Sequence, residues 1–107
     1  MPYNQELDDR INAAITGWGT TRKKMFGGTC DLINGNMMCG VYKDYLILRL
    51  GEEQGETALS QPHTKVFDIT GKPMKGWVMV EQAGLTETAL GEWLLKARRF
   101  AETLPPK

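Results

Sequence analysis

Four side chains in this sequence could carry covalent or proton-transfer chemistry: Cys30, Cys39, His63 and Asp68. Cys30 and Cys39 flank Asn34-Gly35, the preferred pair for a type I′ hairpin because both central residues need positive φ. A two-residue loop there sets the thiols directly opposite each other at a non-hydrogen-bonded position, with Cα atoms about 4.5 Å apart. That spacing would allow a strained redox pair. The competing reading is two free thiols buried on an apolar face in a reducing compartment, and it is preferred because cysteine is among the most buried residues. His63 follows Pro62 in a loop. A nucleophile needs a base within hydrogen-bond reach and a third, orienting group. No nucleophile-elbow or oxyanion motif surrounds His63, so it is expected to be a surface or capping residue. One histidine and two cysteines are too few for a zinc site. Phe26-Gly27-Gly28 and the Gly71–Gly76 loop match neither a P-loop nor a dinucleotide fingerprint. The chain is therefore expected not to be an enzyme, with no catalytic residue, no metal and no cofactor.

Non-covalent recognition has more to draw on. Arg22, Lys23 and Lys24 form one basic segment, Lys72 and Lys75 another, and Trp77 follows as a stacking surface. If they converge, they form a patch for phosphates or an acidic partner. The plainer alternative is solvated lysines with Trp77 in the core. Met25, Met37, Met38, Met74 and Met79 either fill gaps or mark a soft contact surface.

Charge limits these options. Lys plus Arg and Asp plus Glu both total 13, so net charge is zero and the pI is about 6.6. A neutral chain lacks the global field of a dedicated nucleic-acid binder, and direct nucleic-acid binding is not expected. The N-terminal MPYNQELDD is acidic and polar, unlike a signal peptide, and no apolar run approaches spanning length. The expected location is a reducing cytoplasm, away from membranes. At 107 residues the chain is expected to form one domain, 1–107.

The elements that must position these residues are legible by periodicity and turn chemistry. Asn4 is a plausible N-cap, and Leu7, Ile11, Ala14 and Ile15 recur on one face, predicting a helix over roughly 4–16. Residues 28–50 predict a three-stranded meander turning at Asn34-Gly35 and Lys43-Asp44. In this register one face carries Gly28, Cys30, Leu32, Met37, Cys39, Val41, Leu46, Leu48 and Leu50. The other carries Thr29, Asp31, Ile33, Met38, Gly40, Tyr42, Tyr45, Ile47 and Arg49. This second face has more apolar area than a wet surface needs, so Met38, Tyr42 and Ile47 are candidate interface residues. A short helix is expected near 52–60, then extended segments at Lys65–Ile69 and Trp77–Val80. Thr86 caps a final helix with an apolar stripe of Leu90, Trp93, Leu94, Ala97, Ala101 and Leu104, ended by Pro105-Pro106. The order α-β-β-β-α-β-β-α argues for an α+β fold with helices on one sheet face.

Several spaced segments resemble one known family. Lys-Lys-Met-Phe-Gly-Gly (23–28), Asn-Gly-Asn-Met-Met-Cys-Gly-Val (34–41) and Gly-Lys-Pro-Met-Lys-Gly-Trp-Val (71–78) are similar to signatures of the TfoX/Sxy N-terminal domain family. Gln61-Pro62-His63 and the terminal Leu104-Pro105-Pro106-Lys107 resemble its short, stand-alone members, which lack the C-terminal domain of full-length regulators. The resemblance implies a two-layer, five-stranded antiparallel sheet in a secretion-chaperone-like arrangement. It also implies kinship with competence regulators that work with a transcription activator rather than catalyse a reaction. The expected function is a regulatory or protein-interaction module, with a protein of the transcription machinery or a second copy (a homodimer) as partner. The alternative is a small-molecule or anion-binding domain using the Lys72–Trp77 loop.

Overall fold

The computed structural model of the chain describes residues 4–25, 28–68, 71 and 74–106. Helix α1 (Gln5–Ala14) starts as its sequence requires: the Asn4 side-chain oxygen accepts the Leu7 N–H at 2.9 Å. Leu7, Ile11 and Ile15, spaced by four, bury one face, whereas Ala14 faces outward. Helix α3 (Glu87–Glu102) is capped by Thr86, whose hydroxyl accepts the Ala89 N–H at 3.1 Å. Its stripe of Leu90, Trp93, Leu94, Ala97 and Ala101 is buried, with Leu104 only half-buried.

Between them lies an antiparallel sheet of β1 (Thr21–Met25), β2 (Gly28–Ile33), β3 (Asn36–Tyr42), β4 (Tyr45–Arg49), β5 (Thr64–Val66) and β6 (Trp77–Val80). The spatial order is β1-β2-β3-β4-β6-β5. The fold is α+β, with six strands where five were expected. The additional strand is β1, whose Thr-Arg-Lys-Lys-Met offers no apolar alternation to read. Its identity as a strand comes from pairing with β2, and its lysines suit an edge that should not recruit further strands.

The Asn34-Gly35 turn forms as its chemistry demands, with φ of 53° and 82°, and pairs Ile33 with Asn36 and Leu32 with Met37. Beyond that the expected register fails. A β-bulge shifts the ladder, so Asp31 pairs with Cys39 and Cys30 with Gly40, leaving Met38 as the extra residue. Neighbouring residues of a strand point to opposite faces, so this single insertion exchanges the two faces of β2 relative to the rest of the meander. Cys30 and Cys39 are consequently not partners and project to opposite sides. Thr29, Asp31 and Ile33 turn towards the helices, and Met38 drops into the core. The Lys43-Asp44 loop holds its predicted pairs, Val41 with Leu46 and Cys39 with Leu48, with Lys43 at φ 54°.

All three helices cover one sheet face. The main core joins Leu7, Ile11, Leu90, Trp93 and Leu94 to Met38, Val41, Leu46, Leu48, Val78 and Val80. Helix α2 (Glu52–Leu59) lies over β5 and β6 and buries Gly55 and Ala58. The opposite face is not bare. Phe67, from the segment after β5, closes over Ile47 and Met79, with Tyr42, Tyr45 and Trp77 around them. Of the three expected interface residues, Met38 and Ile47 are therefore fully buried and offer no contact area; Tyr42 alone is partly exposed. A short 3-10 turn at Gln82–Gly84 links β6 to α3. Among the described residues no helix is long and apolar enough to cross a membrane.

Candidate functional site

The two basic segments do not converge. Arg22, Lys23 and Lys24 lie on edge strand β1, whereas Trp77 is on β6 and Lys75 in the turn before it. Four strand spacings separate β1 from β6, roughly 19 Å. Lys72 lies outside the described residues.

Arg22 already has a task. Its Nη1 donates to Asp8 Oδ2 at 2.6 Å, its Nη2 to Asp8 Oδ1 at 2.8 Å, and its Nε lies 3.5 Å from Asp31 Oδ1. Thr29 Oγ1 also donates to Asp8 Oδ1, at 2.8 Å. Asp8 and Asp31 are buried, so this cluster bolts α1 to the strands beneath it through charges that satisfy one another. Burial pushes the Asp31 carboxyl above its ordinary range, while the Arg22 charge pulls against that rise. The Cys39 thiol, 3.9 Å from Asp31 Oδ2, is raised by burial and by that carboxylate. Cys30 is pushed up to about 12, by burial first and by Asp31 second. Both thiols are free, and burial disfavours the thiolate form of each. His63 sits exposed at φ 67°, its Nδ1 3.8 Å from a Glu81 carboxylate oxygen. Among the described residues, no group of three or more His, Cys, Asp or Glu could hold a metal ion.

The concave feature that does gather suitable groups lies at the other end of the sheet, between α2 and the 74–77 turn. It is a cleft of about 430 Å³. Helix α2 supplies Glu52, Glu53, Glu56 and Leu59; β5 supplies Val66; the turn supplies Met74, Lys75 and Gly76, and Trp77 follows at the start of β6. The helix can approach the turn only because side chains are missing at the contact. A Cβ on Gly76, at φ +86°, would stand 2.9 Å from the Gly51 carbonyl carbon, and one on Gly55 would stand 3.0 Å from Gly76 Cα. The Leu50 and Gly51 N–H groups both donate to the Gly76 carbonyl, at 2.7 and 3.2 Å, and lock the approach. Trp77 is held by Phe67, ring centroids 5.6 Å apart, and by the Arg49 guanidinium 5.5 Å from its ring. The Met74 N–H donates to the Phe67 carbonyl at 3.0 Å, which fixes the start of the turn.

The lining is unusual in its exposure. Leu59 and Val66 are 38% exposed and Met74 37%, and the remaining large apolar side chain this open among the described residues is Leu95, on α3. Among the described residues no ion pair engages Glu52, Glu53 or Glu56. The sequence singled out the 72–77 loop but not its α2 wall. A signal was present: Ala58 and Leu59 are adjacent on a short helix and cannot both face the core, and it is the larger that is left outside.

Comparison with known proteins gives one result. The TfoX N-terminal domain family matches residues 16–101 of the 107, from just past α1 through nearly all of α3. No curated protein and no solved structure shows a significant match. The matched span contains every strand, the bulge and both walls of the cleft, and on that extent the chain belongs to the TfoX N-terminal domain family.

Proposed function

We propose that this chain is a non-enzymatic regulatory module of the cytoplasm that binds a segment of another protein in the cleft between α2 and the 74–77 turn. The observation that carries the reading is the gathering of Leu59, Val66 and Met74, three of the four most exposed large apolar side chains among the described residues, around one concavity. Exposed apolar surface collected in a cleft is what a partner's anchoring side chain buries on association. Membership of the TfoX N-terminal domain family supports the regulatory part, since the resemblance is to proteins that act with a transcription activator. The burial of both thiols supports the non-enzymatic part, because it disfavours the thiolate form.

The cleft's volume also falls in the range of small-ligand pockets. Such pockets enclose most of their ligand, whereas here the apolar lining stays more than one-third exposed, as in a groove that a chain crosses. An anion fits less well, with three glutamates against one described lysine. The test compares wild type with Leu59→Lys and Met74→Lys, both surface changes, as bait in lysate. A protein retained by wild type and lost from both variants, with unchanged unfolding midpoints, is the expected result. An identical capture profile for all three baits, or a small molecule in native mass spectra in place of a protein, would overturn the reading.

A further inference from the structure

The charges around the cleft say more about its occupant. Glu52, Glu53 and Glu56 all come from α2 and are all exposed. Glu52 and Glu53 stand in the first helical turn, where the macrodipole favours a carboxylate. That explanation does not reach Glu56, one turn further on. Glu52 and Glu56 are also spaced i, i+4, where like charges oppose helix formation. This eight-residue helix therefore carries a repulsive pair on the wall of an apolar cleft, with no internal ion pair among the described residues to offset it. The whole chain is neutral, whereas the described lining of the cleft sets three glutamates against the single Lys75, so the cleft carries a local negative excess.

Resting on the protein-binding reading above, we infer that the cleft takes a basic amphipathic segment of another protein: an aliphatic or aromatic anchor flanked by lysine or arginine. The anchor lies against Leu59, Val66 and Met74 and supplies most of the affinity. The flanking cations meet the α2 carboxylates, set the orientation and speed encounter. A phosphate-bearing or acidic partner is disfavoured by the same wall.

A random-peptide library displayed on phage and selected against the intact chain tests this directly. The enriched peptides, resynthesised, should carry Lys or Arg beside Leu, Ile, Met or Phe. Their affinity should fall about tenfold in the triple variant Glu52→Gln/Glu53→Gln/Glu56→Gln, the sum expected of three partly screened rim pairs. It should fall similarly when salt is raised enough to shorten the screening length below about 5 Å. Loss on Leu59→Lys with no loss in the triple glutamine variant would keep the cleft as a protein site and overturn the basic partner. Peptides insensitive to both sets of changes would bind elsewhere and overturn both readings. Failure of any peptide to enrich, or self-association that vanishes in the triple variant, would also overturn the inference, the latter by making a second copy the occupant.

Discussion

Arg22 holds two buried carboxylates at once, and losing it would strand both. Arg22→Met is expected to destabilise the fold by about 2–3 kcal/mol at neutral pH. This is below the 3–5 kcal/mol of a fully buried broken pair, because the guanidinium side chain is 35% exposed and partly screened. The deficit should depend on pH in a definite direction. Burial holds the Asp31 carboxyl above its unfolded value even with Arg22 present. A carboxyl raised in the folded state contributes stability that is fully present below the unfolded pKa, about 4, and is lost as pH rises through the folded value. Without Arg22 the carboxyl rises further, so the variant's deficit is greatest near pH 7 and narrows on acidification. Urea titrations from about pH 4 to 7 measure this; a deficit constant across the range would show that the cluster acts by packing alone. The two thiols give a separate expectation. Both are buried and held protonated, so alkylation near neutral pH should be slow in the native state and rapid in denaturant, as read by mass spectrometry.

The helices and the hairpin were legible in the sequence because each rests on local chemistry. Asn4 and Thr86 are side-chain caps, Asn34-Gly35 is a left-handed turn pair, and the α3 stripe is a repeat that needs no tertiary information. What was illegible depends on distant partners. The bulge at Met38 places an apolar residue where an unbulged ladder also has one, so alternation cannot reveal it. β1 becomes a strand only by pairing, and α2 buries Gly55 and Ala58 rather than a large apolar stripe. Of the candidate site, Lys75 and Trp77 lie in the loop the sequence marked for an anion or an acidic partner, whereas the three glutamates, Leu59 and Val66 depend on how α2 lies against the sheet. Two substitutions probe the elements. Trp93→Ala, mid-stripe on α3, should cost about 3–5 kcal/mol in chemical denaturation. Gly76→Ala should cost more than Gly17→Ala. Both positions have φ near +87°, but a Cβ at Gly17 meets nothing, leaving only the backbone strain of about 1–3 kcal/mol. At Gly76 the methyl also meets Gly51 and pushes α2 outward, so this variant alone should weaken peptide binding in the cleft.

At the scale of the whole molecule, the sheet separates two regions of opposite character. One end carries Arg22 paired with the buried carboxylates of Asp8 and Asp31 under α1; the other carries the open cleft beneath α2. Sites this far apart with no shared neighbour contribute independently to stability, and a double variant Arg22→Met/Glu56→Gln should equal the sum of its singles within about 0.5 kcal/mol. A larger coupling in a double-mutant cycle would mean that strain passes along the strands between them. Independence has a consequence for how such a domain can change over time. The glutamates and exposed apolar residues of the cleft can be exchanged one at a time with little penalty to folding, because the cluster that bolts the fold together is at the far edge. A lineage could therefore trade one partner for another by altering α2 and the 74–77 turn, while the bulge, the bolt and the α3 stripe stay in place as an inherited chassis.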